Sequence, residues 1–139
     1  MNTLVSKFLS VMLLLAVSIS VNAADTVSPV SVDGTTAVNA TQSKDLFDKG
    51  ALFLDVRSNK DWDAGRIPDA VHIELKKKFS EASMSSEVKK DEPVVIYCNG
   101  PSCLRSSKAA AMAVAWGFTK VYYFRDGYPA WKSAGYPTE

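Results

Sequence analysis

Three short apolar runs limit what this chain can fold into: Ala51-Leu52-Phe53-Leu54-Asp55-Val56-Arg57, Pro93-Val94-Val95-Ile96-Tyr97 and Lys120-Val121-Tyr122-Tyr123-Phe124. Each is short, rich in β-branched or aromatic side chains and free of apolar-polar alternation, which is the pattern of a strand covered on both faces. Stretches with helix signals separate them. Thr41 is placed to N-cap a helix carrying Leu46 and Phe47, with Gly50 just past its end, and a brief helix is expected over Lys60 to Ala64. The polar stretch from Lys76 to Asp91 reads as one or two surface helices, and an Ala-rich helix runs from Arg105 to Trp116, stopped by Gly117. Shorter strands are expected around Thr36 to Asn39 and at Val71-His72-Ile73, and Gly127-Tyr128-Pro129-Ala130-Trp131 opens a closing helix. Strands alternating with helices predict one α/β domain, with a central, mostly parallel sheet and helices on both faces.

The amino-terminal residues follow another pattern. Lys7 is the only charged side chain before an apolar run from Phe8, and the run ends at Val21-Asn22-Ala23-Ala24-Asp25. That is the three-part form of a secretory signal peptide, with cleavage expected after Ala23. Phe8 to Val21 is 14 residues interrupted by three serines, whereas a bilayer span takes roughly 20 apolar residues. No stable membrane anchor is therefore expected after cleavage. The expected organisation is a signal peptide at 1–23, a flexible leader at 24–35 and the domain at 36–137. The destination is the periplasm or the outside of the cell, where thiols can be oxidised and stay so.

Charge excludes a further class. The 139 residues carry 16 Lys plus Arg against 15 Asp plus Glu, and losing Lys7 with the signal would leave them equal. Without a basic field there is no basis for nucleic-acid binding. A lone histidine, His72, and two cysteines make no convincing zinc set. His72 is expected to be a packed or hydrogen-bonded residue. Lys76-Lys77-Lys78 reads as a solvated helix start that could steer small anions. Trp62, Trp116 and Trp131 read as core or lid aromatics.

The unit that carries chemistry is Tyr97-Cys98-Asn99-Gly100-Pro101-Ser102-Cys103-Leu104-Arg105. A cysteine at the tip of a buried strand, followed by a turn and a helix start, sits where backbone N–H groups and the positive end of a helix dipole converge. Such a place stabilises an anion and favours the thiolate, the nucleophilic form of sulfur. Arg105 adds a fixed charge with a donor fork suited to oxyanions. On this evidence alone a buried, inert cysteine is an equal reading.

The flanking segments decide between them. Asp55-Val56-Arg57, then Trp62 with Gly65-Arg66-Ile67-Pro68-Asp69-Ala70, then Tyr97-Cys98 with Arg105-Ser106, then Gly127-Tyr128-Pro129-Ala130-Trp131 and Gly135 together resemble the successive signatures of a rhodanese domain, in the family's order. The resemblance implies the single-domain rhodanese-like α/β fold and a sulfurtransferase without cofactor or metal. It implies that Cys98 attacks the outer sulfur of an anionic donor such as thiosulfate, releases sulfite and passes the sulfur from a persulfide to cyanide or a thiol. It also implies that Asn99, Gly100, Ser102 and Leu104 supply substrate-binding loop amides and that Arg105 binds the donor. The resemblance further implies that Asp55 and Arg57 support the loop from the neighbouring strand. The resemblance implies nothing about oligomeric state.

Three departures from the family pattern matter. Arg105 lies seven positions after Cys98, where the family usually has five and related cell-cycle phosphatases six. Cys103 lies inside the same loop. It could form a resting disulfide with Cys98, resolve or regulate it, exchange disulfides with it, or simply pack. Arg66 and Asp69 replace the usual His and Gly of a structural turn. The competing functions are a thiol-disulfide redox protein using Cys98 and Cys103, a non-catalytic binding module and, more remotely, a phosphatase.

Overall fold

The structure is a computed structural model and describes residues 27–139. The expected export signal at 1–23 lies outside the described residues. The elements are β1 (Thr36–Ala37), α1 (Ala40–Asp48), β2 (Leu52–Asp55), α2 (Asn59–Ala64), β3 (Val71–His72), α3 (Glu81–Ser85), β4 (Val94–Tyr97), α4 (Arg105–Ala115), β5 (Val121–Phe124) and α5 (Gly127–Ser133). The five strands form one sheet in the order β1-β5-β4-β2-β3, and every neighbouring pair is parallel. The expected α/β class with helices against a central sheet is therefore the observed one.

The three apolar runs form the middle of the sheet, in register at Leu54, Ile96 and Tyr123 and again at Asp55, Tyr97 and Phe124. Their side chains alternate between two cores. Leu54, Val94, Ile96, Val121 and Tyr123 pack with Ala109, Ala110 and Ala113 of α4 and with Met84 of α3. Phe53, Val95, Tyr97 and Phe124 pack with Trp131 and Tyr128 of α5, beside Leu46 and Phe47 of α1. A sheet covered on both faces needs apolar residues at consecutive positions, which accounts for the unbroken runs.

The small side chains of α4 let it lie directly on β4 and β5, and Gly117 (φ +92°) takes the left-handed position just past its end. Two expected boundaries shift. Helix α1 is capped by Asn39, not Thr41: the Asn39 carboxamide accepts from the Gln42 amide at 2.8 Å, and the Gln42 side chain accepts from the Asn39 amide at 2.9 Å. This reciprocal box captures Asn39 from β1. Of the polar stretch, only Glu81–Ser85 is helical, opened by a similar box between Ser80 and Ser83.

The segment read from composition as a flexible leader is fastened to the domain from Ser28 on. Ser28, only 3% exposed, donates from its amide and hydroxyl to the Pro101 carbonyl at 2.7 and 2.8 Å. Arg125 donates to the Ser28 carbonyl at 2.9 Å, and the Tyr123 hydroxyl to that of Pro29 at 2.9 Å. Backbone polar groups satisfied in this way hold a chain that has no strand or helix of its own.

Candidate active site

The carboxyl ends of β2, β4 and β5 lie side by side, the edge at which open parallel sheets collect function. Cys98 follows directly on β4 and is fully buried against the α4 core. The loop from Asn99 to Leu104 joins it to the amino end of α4. Gly100 (φ +113°) turns the chain, and the Cys103 amide donates to the Gly100 carbonyl at 3.0 Å. This turn brings the two sulfurs together. Cys98 and Cys103 form a disulfide, with their α-carbons 6.4 Å apart. Of the arrangements open for Cys103, the bonded one is present.

Three contacts hold the loop from different sides. From β2, Arg57 donates to the Asn99 side-chain oxygen at 3.3 Å. From α5, the Tyr128 amide donates to the Cys98 carbonyl at 2.9 Å. From the amino-terminal segment, Ser28 holds the Pro101 carbonyl. Among the described residues, the Cys103 amide is the one loop amide spent on an internal bond. Those of Asn99, Gly100, Ser102 and Leu104, named from sequence as donor-binding, make no hydrogen bond among the described residues.

Asp55 and Arg57 are at the tip of β2, 0% and 2% exposed. They form a forked pair, with Arg57 Nη2 to Asp55 Oδ2 at 2.7 Å and Nε to Oδ1 at 3.0 Å. The guanidinium also donates to the Gly65 carbonyl at 2.7 Å and stacks over the Tyr128 ring at 4.5 Å. Burial works against its charge, but the Asp55 hydrogen bond and charge outweigh burial and hold its pKa above the ordinary value. Burial first, then the Asp55 carboxylate, pushes the Tyr97 phenol well above its ordinary value too. Tyr97 stays neutral, and its hydroxyl accepts from the Ile67 amide at 3.3 Å. Of these residues, Arg57 braces the loop directly, through its bond to Asn99.

Arg105 opens α4, but its guanidinium extends toward β3. It is ion-paired with Glu74 and donates to the Val56 carbonyl at 3.4 Å. Burial alone would raise the Glu74 pKa. The Arg105 hydrogen bond and the amides of Lys76 and Lys77 overcome this and lower it. A cleft of about 350 Å³ lies here, lined by Ser58, Lys60, Glu74, the lysines 76–78 and Arg105. A larger cavity of about 750 Å³ is lined by Ala51, Leu52 and Pro93 at the amino ends of β2 and β4, away from the cysteines. The smaller one is lined by Arg105 and by neither cysteine.

Sequence reasoning missed Glu74, Asp61 and Ser28. Asp61 accepts from the Asn99 carboxamide at 3.0 Å, and the Ser58 hydroxyl, the Asn99 amide group and nearby Arg57 hold its pKa down against the opposing effect of burial. His72 is where a structural histidine belongs, with Nε2 on the Arg57 carbonyl at 2.8 Å and its ring stacked on Trp62. Trp131 is a core residue, fully buried, with its indole donating to Pro137.

Comparison with known proteins gives a consistent set. The profile of the family described as the Rhodanese-like domain matches residues 39–134. The thiosulfate sulfurtransferase GlpE of Pseudomonas syringae pv. syringae is 35% identical over 99 residues, covering 70% of this chain and 87% of that one. Among solved structures, the BH2092 protein of Bacillus halodurans superposes with a TM-score of 0.66 at 25% identity, over 76% of this chain and 77% of that one. The Alr3790 protein of Anabaena sp. has a TM-score of 0.64 at 27% identity, over 73% and 90%.

Proposed function

Because the chain belongs to the rhodanese-like domain family, with thiosulfate sulfurtransferase relatives at 35% identity, we propose that it is a sulfurtransferase carrying sulfane sulfur on Cys98. The observation that carries this reading is the position of Cys98. It directly follows a buried strand and begins the loop, with amides unspent on other bonds, that leads to the amino end of α4.

In the reduced protein the Cys98 thiolate attacks the outer sulfur of thiosulfate or a similar anionic donor. The donor's sulfur-sulfur bond breaks, and sulfite leaves with the electron pair. Cys98 is left as a persulfide, and cyanide or a thiol then takes the outer sulfur. The loop amides and the α4 dipole stabilise the anionic sulfur, and Arg105 with the lysine-lined cleft favours an anionic donor. Asp55 and Arg57 position the loop. The disulfide must be opened first, since Cys98 has no free thiolate while it is bonded to Cys103.

The test is direct. The chain is reduced, freed of reductant and given thiosulfate. Sulfite should be released, and in Cys103→Ser one sulfur atom should add to Cys98 by mass spectrometry and be converted to thiocyanate by cyanide. No sulfite from the wild-type chain and no adduct on Cys103→Ser, with the thiols shown to be free, would rule the reading out.

The signal-like amino terminus and the oxidised cysteine pair support an exported, periplasmic or secreted protein. A second reading, thiol-disulfide exchange through Cys98 and Cys103, is favoured by the bond itself. It predicts catalysed reduction of a model disulfide, lost in either cysteine variant.

A further inference from the structure

We propose, resting on the sulfurtransferase reading, that the Cys98 persulfide is resolved within its own loop by Cys103, so that the chain converts sulfane sulfur to sulfide. The Cys103 thiolate attacks Cys98 Sγ, the inner sulfur of the persulfide. The bond between Cys98 Sγ and the transferred sulfur breaks, and that sulfur departs as hydrosulfide with the electron pair. The bond formed is the Cys98–Cys103 disulfide. The transferred sulfur gains two electrons, which the two cysteine sulfurs lose, so the step needs no outside oxidant or reductant.

The geometry favours this attack. The product is the disulfide present in the structure, with α-carbons 6.4 Å apart, inside the range that a disulfide spans without backbone movement. The turn that presents Cys103 is built in by Gly100 (φ +113°) and the bond from the Cys103 amide to the Gly100 carbonyl. Contacts to the Cys98 carbonyl and Asn99 hold the loop just before that turn, and the contact to Pro101 holds it within the turn. The resolving thiol is therefore tethered beside its target, at an effective concentration that a free thiol in solution does not match.

The two sulfurs are unequally exposed. Cys98 is fully buried, whereas Cys103 is only partly so. An external dithiol, of the chemical class of thioredoxin-like reductants, would attack Cys103 Sγ, form a mixed disulfide there and release Cys98 as thiolate. Its second thiol would then free Cys103. Over the whole cycle, thiosulfate and a dithiol give sulfite, sulfide and a disulfide. The cell's acceptor is then a protein dithiol, and cyanide only intercepts the persulfide.

The experiment uses the full chain, reduced and freed of reductant under anaerobic conditions, with thiosulfate and no added thiol or cyanide. Sulfite and sulfide should appear in equal amounts, one of each per chain, and both cysteines should become resistant to alkylation. Cys103→Ser should release sulfite, lose the sulfide signal and keep its sulfur on Cys98. A wild-type chain that releases sulfite but retains the sulfur on either cysteine would overturn the proposal and leave the sulfurtransferase reading standing. So would Cys103→Ser releasing sulfide as fast as wild type. No sulfite from either protein would overturn both.

Discussion

Gly127 leaves the Cys98 carbonyl room that no other residue would: a β-carbon there would lie 2.2 Å from the oxygen, and the backbone at Gly127 has φ +62°. The next amide, that of Tyr128, donates to the same oxygen. Gly127→Ala therefore meets both a steric clash and a left-handed backbone. The strain alone is about 1–3 kcal/mol, and the relief available is to move the cysteine loop. A lowered urea midpoint together with slower sulfur uptake by Cys98 is the expected result, measured by equilibrium unfolding and by the rate of sulfite release from thiosulfate.

The Asp55–Arg57 pair sets a second expectation. Removing one partner of a buried ion pair leaves the other uncompensated, at a cost of about 3–5 kcal/mol. Asp55→Ala strands the Arg57 charge and also weakens its hold on Gly65 and Asn99. Replacing both residues by apolar side chains should cost less than Asp55→Ala alone. Urea unfolding of the single and double variants checks the order.

Glu74 gives the pH dependence. Its folded pKa lies below the ordinary value because Arg105 and two backbone amides bind the carboxylate. Its stabilisation is therefore complete above the unfolded value of about 4.3 and fades as pH falls through the lower folded value. Glu74→Gln should lose stability near neutral pH and show a shallower loss than wild type in the window just below the unfolded value of about 4.3. Thermal melts of both proteins across that window measure the difference. The same variant removes the carboxylate charge that faces Arg105 while the bond to the Val56 carbonyl remains, so faster sulfite release at low thiosulfate is expected if Glu74 restrains the guanidinium.

Much of this was legible in the chain, for physical reasons that differ by residue. The central strands could be read because burial on both faces demands consecutive apolar residues, and Cys98 stood out because it ends one of them. Asn39 and Gln42 have the residue types of a capping box, and Asn outranks Thr41 as a cap, but Asn39 also continues the run that reads as the first strand. Glu74 had no local signal: its partner Arg105 is 31 positions away, and the contact exists only once β3 lies beside β2. Ser28 is separated from Pro101 by 73 positions, in a segment without hydrophobic period. Composition reports the lack of secondary structure there, and says nothing of two hydrogen bonds made to a distant loop.

The loop must stay folded when its disulfide opens, because both the sulfur transfer and its resolution start from free thiols. Closing the six residues from Cys98 to Cys103 removes little chain entropy, worth about 2 kcal/mol in the loop-closure picture. The remaining ties, Arg57 to Asn99, Tyr128 to Cys98 and Ser28 to Pro101, do not involve sulfur. Reduction should therefore lower stability by about 2 kcal/mol while leaving the far-ultraviolet circular dichroism spectrum unchanged. Ser28→Ala removes one of the two hydrogen bonds on the Pro101 carbonyl, a further loss of about 0.5–1.5 kcal/mol. If the amino-terminal segment holds the loop, alkylation of the reduced cysteines should be faster in Ser28→Ala than in wild type. Equal rates would mean that the contacts from β2 and α5 hold the reduced loop without it.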